Sequence, residues 1–209
     1  MSEDLTIGDD GAARCPWGDA PDVYRAYHDA EWGRPLHGER ALYELLTLET
    51  FQSGLSWLTI LRKRPAFVAA FDGFDPDAVA AYGDADVTRL LADAGIVRNR
   101  QKIAAAVANA RAVVALREEG GFDAFVWSFA DAARDERPAP DWRPAALGDL
   151  PSSTPTSKAM AKAMRARGFS FVGPTVAYAF LESAGVVDDH LEGCVCATAE
   201  RPAAASVAG

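Results

Sequence analysis

Leu90 to Ile103 reads LLADAGIVRNRQKI. An apolar-patterned helix runs into Gly95, the three residues Gly95, Ile96 and Val97 turn the chain, and a second helix starts near Asn99. So short a turn can present backbone N–H groups to a phosphate, and Arg98, Arg100 and Lys102 place positive charge beside it. The same pattern also suits two helices that merely pack together. The turn therefore decides architecture before it decides function.

On both sides of this hairpin the chain continues as helices. DVYRAYHDAEW is a short helix carrying aromatics, and a longer one is expected from about Glu39 to Ser53. Pro65 suits the first turn of another, and Asp75-Pro76 reads as a cap followed by a helical opener. The alanine-rich helix from about Asn99 to Arg117 ends before Gly120-Gly121, and FDAFVWSF is a brief apolar helix. Residues 131–155 read as a long connection. Thr156 or Ser157 is expected to cap SKAMAKAMRARG, and Pro174 to open a helix that stops at Gly185. No alternating strands or repeats stand out, so the expected class is all-α.

The chain has 209 residues, enough for one core of closely packed helical lobes. The expected organisation is an acidic, disordered tail over 1–13, one globular domain over 14–200, and a flexible tail over 201–209. The acidic start is unlike a signal peptide, no apolar run approaches membrane-spanning length, and three cysteines suit a reducing cytoplasm. Net charge is -9, which argues against a nonspecific nucleic-acid coat. Charge is nevertheless unevenly placed: Leu150 to Leu181 holds no acid but includes Lys158, Lys162, Arg165 and Arg167.

Two groups of residues carry chemistry. Leu42, Leu45, Leu46 and Glu49 fall at i, i+3, i+4 and i+7, so a carboxylate occupies a buried helical stripe. It must be paired, protonated or lining a cavity, because burying it alone is costly. If it lines one, Trp57, Tyr24, Tyr27 and Trp32 are available as stacking surfaces for a planar, electron-poor ligand. The second group is His190 and Cys194, four apart in HLEGC, with Cys15, His28, His37 and Cys196 as further donors. A tetrahedral Cys2His2 site is chemically available, and four such ligands would leave no open position, making it structural. Cys15 and His28 are also ordinary core residues on their own.

CPWG, YHDAEWG, LETFQSGLSW, DAGIVRNRQKI, GFSFVGPT and DDHLEGC together resemble the DNA-3-methyladenine glycosylase I family, a branch of the helix-hairpin-helix DNA glycosylases. The resemblance runs from Cys15 to Cys196. It implies one structural Zn2+ held by Cys15, His28, His190 and Cys194, tying the N- and C-terminal regions together. It implies that Glu49 recognises the methylated base, that Tyr27 and Trp57 surround it, and that Trp17, Tyr24 and Trp32 line or support the pocket. The hairpin from Gly95 to Val97 is implied to hold the DNA backbone, beside the positive charge that Arg98, Arg100 and Lys102 supply. The implied activity is monofunctional hydrolysis of the N-glycosidic bond of 3-methyladenine in double-stranded alkylated DNA, by a monomer without organic cofactor. No aspartate is assigned as general base and no lysine as a Schiff-base nucleophile. A noncatalytic damage sensor, or a glycosylase with another alkylated-purine range, would use the same pocket.

Overall fold

In the computed structural model, which describes residues 4–139 and 141–197, several helices start where a short polar side chain accepts backbone N–H groups. Ser56 caps α3 (Trp57–Ala70), Asp75 caps α4 (Pro76–Ala80) through the N–H groups of Asp77 and Ala78, and Asn99 caps α6 (Arg100–Ala115). Before them come α1 (Asp22–Ala30) and α2 (Glu39–Gln52); α5 (Asp84–Ala92) leads into the hairpin. After α6 come α7 (Phe122–Trp127), α8 (Ala130–Asp135), α9 (Pro155–Ala166) and α10 (Pro174–Ser183).

Helix α2 is the hub, packed against α3, α6, α7 and α10, while α4 and α5 flank α6 and α9 backs α10. Its buried face carries Leu42, Tyr43, Leu46 and Phe51, and the Tyr43 hydroxyl donates to the Ala106 carbonyl at 2.9 Å. Phe51, Phe67, Phe71 and Phe74 continue this core as a run of aromatic contacts.

Several expectations are corrected. Pro65 lies inside α3, because Ser56 already starts that helix two turns earlier. Thr154 rather than Thr156 or Ser157 caps α9, its hydroxyl accepting from the Ser157 N–H while Ser157 Oγ accepts from the Thr154 N–H. The connection 131–155 contains most of α8 and a 3-10 turn at Leu147–Asp149. The N-terminal segment expected to be disordered is ordered from Asp4: β1 (Thr6–Ile7) pairs antiparallel with β2 (Ala13–Arg14). Its acids explain this, since Arg14 binds Asp10 and Asp29, and Arg25 binds Asp9. The Val195 N–H donates to the Ala13 carbonyl at 2.7 Å, joining the two ends of the described chain. The expected tail 201–209 lies outside the described residues, and among those residues no helix is long and apolar enough to cross a membrane.

Candidate base pocket, metal cluster and hairpin

Helix α2 delivers Glu49 and Gln52 to one wall of a cavity of about 240 Å³. Helix α10 supplies Ala179, Glu182 and Ser183, three positions that share a face at i, i+3 and i+4. The aromatic walls come from Trp17, Tyr24 and Tyr27, with Trp32 and Trp57. All six pocket residues anticipated from the sequence therefore meet in one place. Trp17 and Trp32 cross edge to face at 4.9 Å, Tyr27 and Trp57 tilt at 5.4 Å, and the Tyr24 hydroxyl accepts from the Leu58 N–H at 2.9 Å. The indole N–H of Trp57 is buried without a partner among the described residues, a donor available to an acceptor on a ligand.

Glu49 is only 3% exposed, and its sole hydrogen bond from a described side chain is from Ser183 Oγ at 2.8 Å. Burial pushes its pKa up to about 7, with the Ser183 bond opposing. Glu182, on the same wall, is pushed well above the usual carboxylate range by burial and by the nearby carboxylates of Asp189 and Glu49. Burial and the Glu49 charge likewise raise the Tyr27 phenol. Carboxyl groups beside aromatic faces, with no cation among the lining residues, make a receptor for a flat, positively charged ligand. Leu150, Ala179, Glu182 and Ser183 were not anticipated. The α10 face was legible as a helical stripe, but nothing local tells that it meets Glu49.

Behind the aromatics, His28, His190, Cys194 and Cys196 are all buried, with one ligand atom from each within 4.8 Å of the others. This compact group contains Cys196 where Cys15 was expected. Cys15 stays adjacent: its sulfur accepts from the Leu191 N–H at 3.4 Å, and it is within electrostatic reach of Cys194. His37 is elsewhere, stacked on Trp127 and bound to Asp123. The donor set fits a zinc ion. His28 Nδ1 meets Asp29 at 2.8 Å and His190 Nδ1 meets Asp188 at 2.7 Å, and an ionised carboxylate can only accept, so each Nε2 keeps its lone pair. His190 Nε2 is buried without a partner, while His28 Nε2 faces the Cys194 sulfur at 3.5 Å. The neighbouring thiols and His28 hold the Cys194 thiol well below its ordinary range, favouring thiolate.

Glycine is required around this cluster. A Cβ on Gly18 would sit 2.3 Å from the His28 ring, and Gly33, at φ +70°, approaches the His190 ring. Asp188 and Asp189 are tied to Arg143 and Arg137, and Tyr178 also donates to Asp189, so neither carboxylate is on the pocket wall.

At the hairpin, Arg98 and Arg100 are exposed, but the Gly95 N–H is taken by Asp93 Oδ1 at 2.7 Å and Ile96 is buried. The expectation that Lys102 contacts DNA is corrected. It is 6% exposed, and its ammonium donates to the carbonyls of Phe51 at 2.8 Å and Ser53 at 2.6 Å, satisfying acceptors that α2 leaves at its C-terminus. Lys102→Met should cost about 2 kcal/mol and lower the melting temperature by roughly 6 °C in thermal unfolding.

The methyladenine glycosylase family model matches residues 17–197. DNA-3-methyladenine glycosylase 1 of Escherichia coli K12 is 44% identical over 190 residues, spanning 90% of this chain and 99% of its own. DNA-3-methyladenine glycosylase of Haemophilus influenzae Rd is 41% identical over 186 residues, 88% of this chain and 98% of its own. The 3-methyladenine DNA glycosylase I of Staphylococcus aureus, solved to explain 3-methyladenine recognition, superposes with a TM-score of 0.82 at 35% identity, covering 90% of this chain and 98% of that one. The chain belongs to the methyladenine glycosylase family.

Proposed function

We infer that this protein is a DNA-3-methyladenine glycosylase, a hydrolase that cleaves the N-glycosidic bond of 3-methyladenine in alkylated DNA. The observation that carries the reading is a buried Glu49, bonded by Ser183 but with no cation among the lining residues, on the wall of an aromatic cavity. Methylation at N3 places positive charge on the base and makes it a good leaving group. The nucleotide turns out of the duplex, at a cost that is smaller where a lesion has already weakened pairing and stacking. Tyr27 and Trp57, supported by Trp17, Tyr24 and Trp32, stack on the extruded ring. Glu49 accepts hydrogen bonds from it and balances its charge, which neutral adenine cannot match. The C1′–N bond breaks with its electron pair going to the base, which leaves neutral; water adds at the cationic C1′ and gives up a proton to solvent, leaving free base and an abasic site. Such a leaving group needs little activation, in keeping with a pocket whose carboxyl groups are Glu49 and Glu182 and which contains no lysine.

Chromatography of bases released from methylated duplex DNA tests the reading. A 3-methyladenine peak with normal bases retained is the expected result, and a folded protein that releases nothing would overturn it in favour of a damage sensor.

The DNA backbone is held by a helix-hairpin-helix, with Arg98 and Arg100 as its cations. Replacing both with alanine should weaken binding about equally across sequences and reduce the salt slope by about two, measured by titration at several salt concentrations, with thermal stability unchanged. The buried cluster holds one structural zinc through His28, His190, Cys194 and a further cysteine. The family resemblance favours Cys15 and the compact group favours Cys196. Zinc analysis of Cys15→Ser and Cys196→Ser separates them, because only loss of the true ligand should reduce bound metal.

A further inference from the structure

The loop between α9 and α10 holds an aromatic side chain out of the core against local preference. Phe169 is buried and stacks on Phe122 at 5.6 Å, and Val172 is buried as well. Between them, the fully buried Asn109 of α6 grips Ser170 by both backbone groups. Its Oδ1 accepts from the Ser170 N–H at 2.7 Å and its Nδ2 donates to the Ser170 carbonyl at 3.2 Å. The next residue, Phe171, is 40% exposed and has φ +60°, the left-handed region that a bulky side chain rarely enters. A strained backbone persists where its surroundings over-determine it, and the Asn109 clamp does that here.

The position of Phe171 is informative. It lines a groove of about 620 Å³ together with Ser53 and Arg165. Ser53 directly follows Gln52, which lines the base pocket, so groove and pocket draw on neighbouring residues at the end of α2. The next residues are Gly54, at φ +78°, and Leu55, also 40% exposed. On the other side, α9 exposes Lys158, Lys162 and Arg165 within the acid-free stretch. An exposed aromatic beside positive charge, in a groove that shares the end of α2 with the base pocket, has the chemistry for stacking on nucleobases while the cations meet phosphates.

We propose that Phe171 is a positioning residue that stacks against the bases flanking the extruded nucleotide, held ready by the Asn109 clamp on Ser170. The proposal rests on the base-excision reading. It makes entry into duplex DNA, rather than capture of the free base, the step that Phe171 serves.

Three measurements on native protein, Phe171→Ala and Phe171→Trp test it. They are single-turnover release of 3-methyladenine from methylated duplex, binding of free 3-methyladenine, and the fluorescence of 2-aminopurine placed beside a tetrahydrofuran abasic site in a duplex. Phe171→Ala should slow release by about tenfold or more and change the 2-aminopurine signal of the complex. Free-base affinity should stay unchanged, and Phe171→Trp should recover most of the rate. Release by Phe171→Ala at the native rate would overturn the proposal, as would an equal loss of free-base binding, which would mark a pocket defect. If the native protein itself released no base, the excision reading would fail, but the fluorescence comparison would still decide the role of Phe171. An unchanged signal in Phe171→Ala would reject it, and an altered signal recovered by Phe171→Trp would support it.

Discussion

Glu49→Gln is expected to slow 3-methyladenine release by roughly a hundredfold, equivalent to about 2.7 kcal/mol of lost transition-state stabilisation. The amide keeps the shape of the side chain and its contact with Ser183, but cannot balance the charge of the methylated base. The native rate should also depend on pH. With its pKa raised to about 7, Glu49 is largely protonated in mildly acidic solution, so kcat/KM should rise with a midpoint near pH 7 and level off above it. The glutamine variant should lose that limb. Stability moves in the opposite sense. A carboxyl whose pKa is 4.5 when unfolded and about 7 when folded favours the native state at low pH, and that contribution is lost as pH rises between the two values. Because Glu49 is almost wholly buried, the loss is of order 3 kcal/mol. Above pH 7 the variant should therefore melt higher than the native enzyme while working worse. Unchanged kinetics in Glu49→Gln would remove the residue from the mechanism.

His190→Ala should lose bound zinc and about 3–4 kcal/mol of stability, seen as a fall of roughly 10 °C in melting temperature. The change removes one imidazole from the cluster and leaves the Asp188 carboxylate without that partner in a buried setting. Metal analysis and thermal melting on the same sample check it. Full zinc retention would show that His190 is not a ligand. The native protein stripped by a strong chelator should fall by a similar amount and recover when zinc is returned.

Much of this was legible in the sequence because the signals are local. The i, i+3, i+4, i+7 stripe of Leu42, Leu45, Leu46 and Glu49 puts a carboxylate on a buried face whatever surrounds it. Asp75, Asn99 and Gly185 punctuate helices by chemistry that needs no tertiary partner. What stayed hidden depends on distant contacts. Lys102 looked like a phosphate contact because its neighbours are basic, yet α6 crosses the end of α2 and two carbonyls there claim the ammonium. Ser183 and Glu182 became pocket residues only when α10 packed on α2. Cys196 joined the compact donor group by the path of the last described residues, which spacing alone does not specify. The β1–β2 ribbon is two residues a side, too short for alternation to register, and forms around Arg14.

Trp17 lies 5.1 Å from the His28 ring and Trp32 lies 4.6 Å from the His190 ring, while both also line the base pocket. Each indole therefore has two employers. A thiol-modifying compound that reacts at Cys194 or Cys196 would displace these rings and weaken base binding from behind the wall. In an inhibitor screen it would score as a substrate mimic, although it never entered the cavity. Hits against this enzyme should be counter-screened for thiol reactivity before any is taken for an adenine analogue.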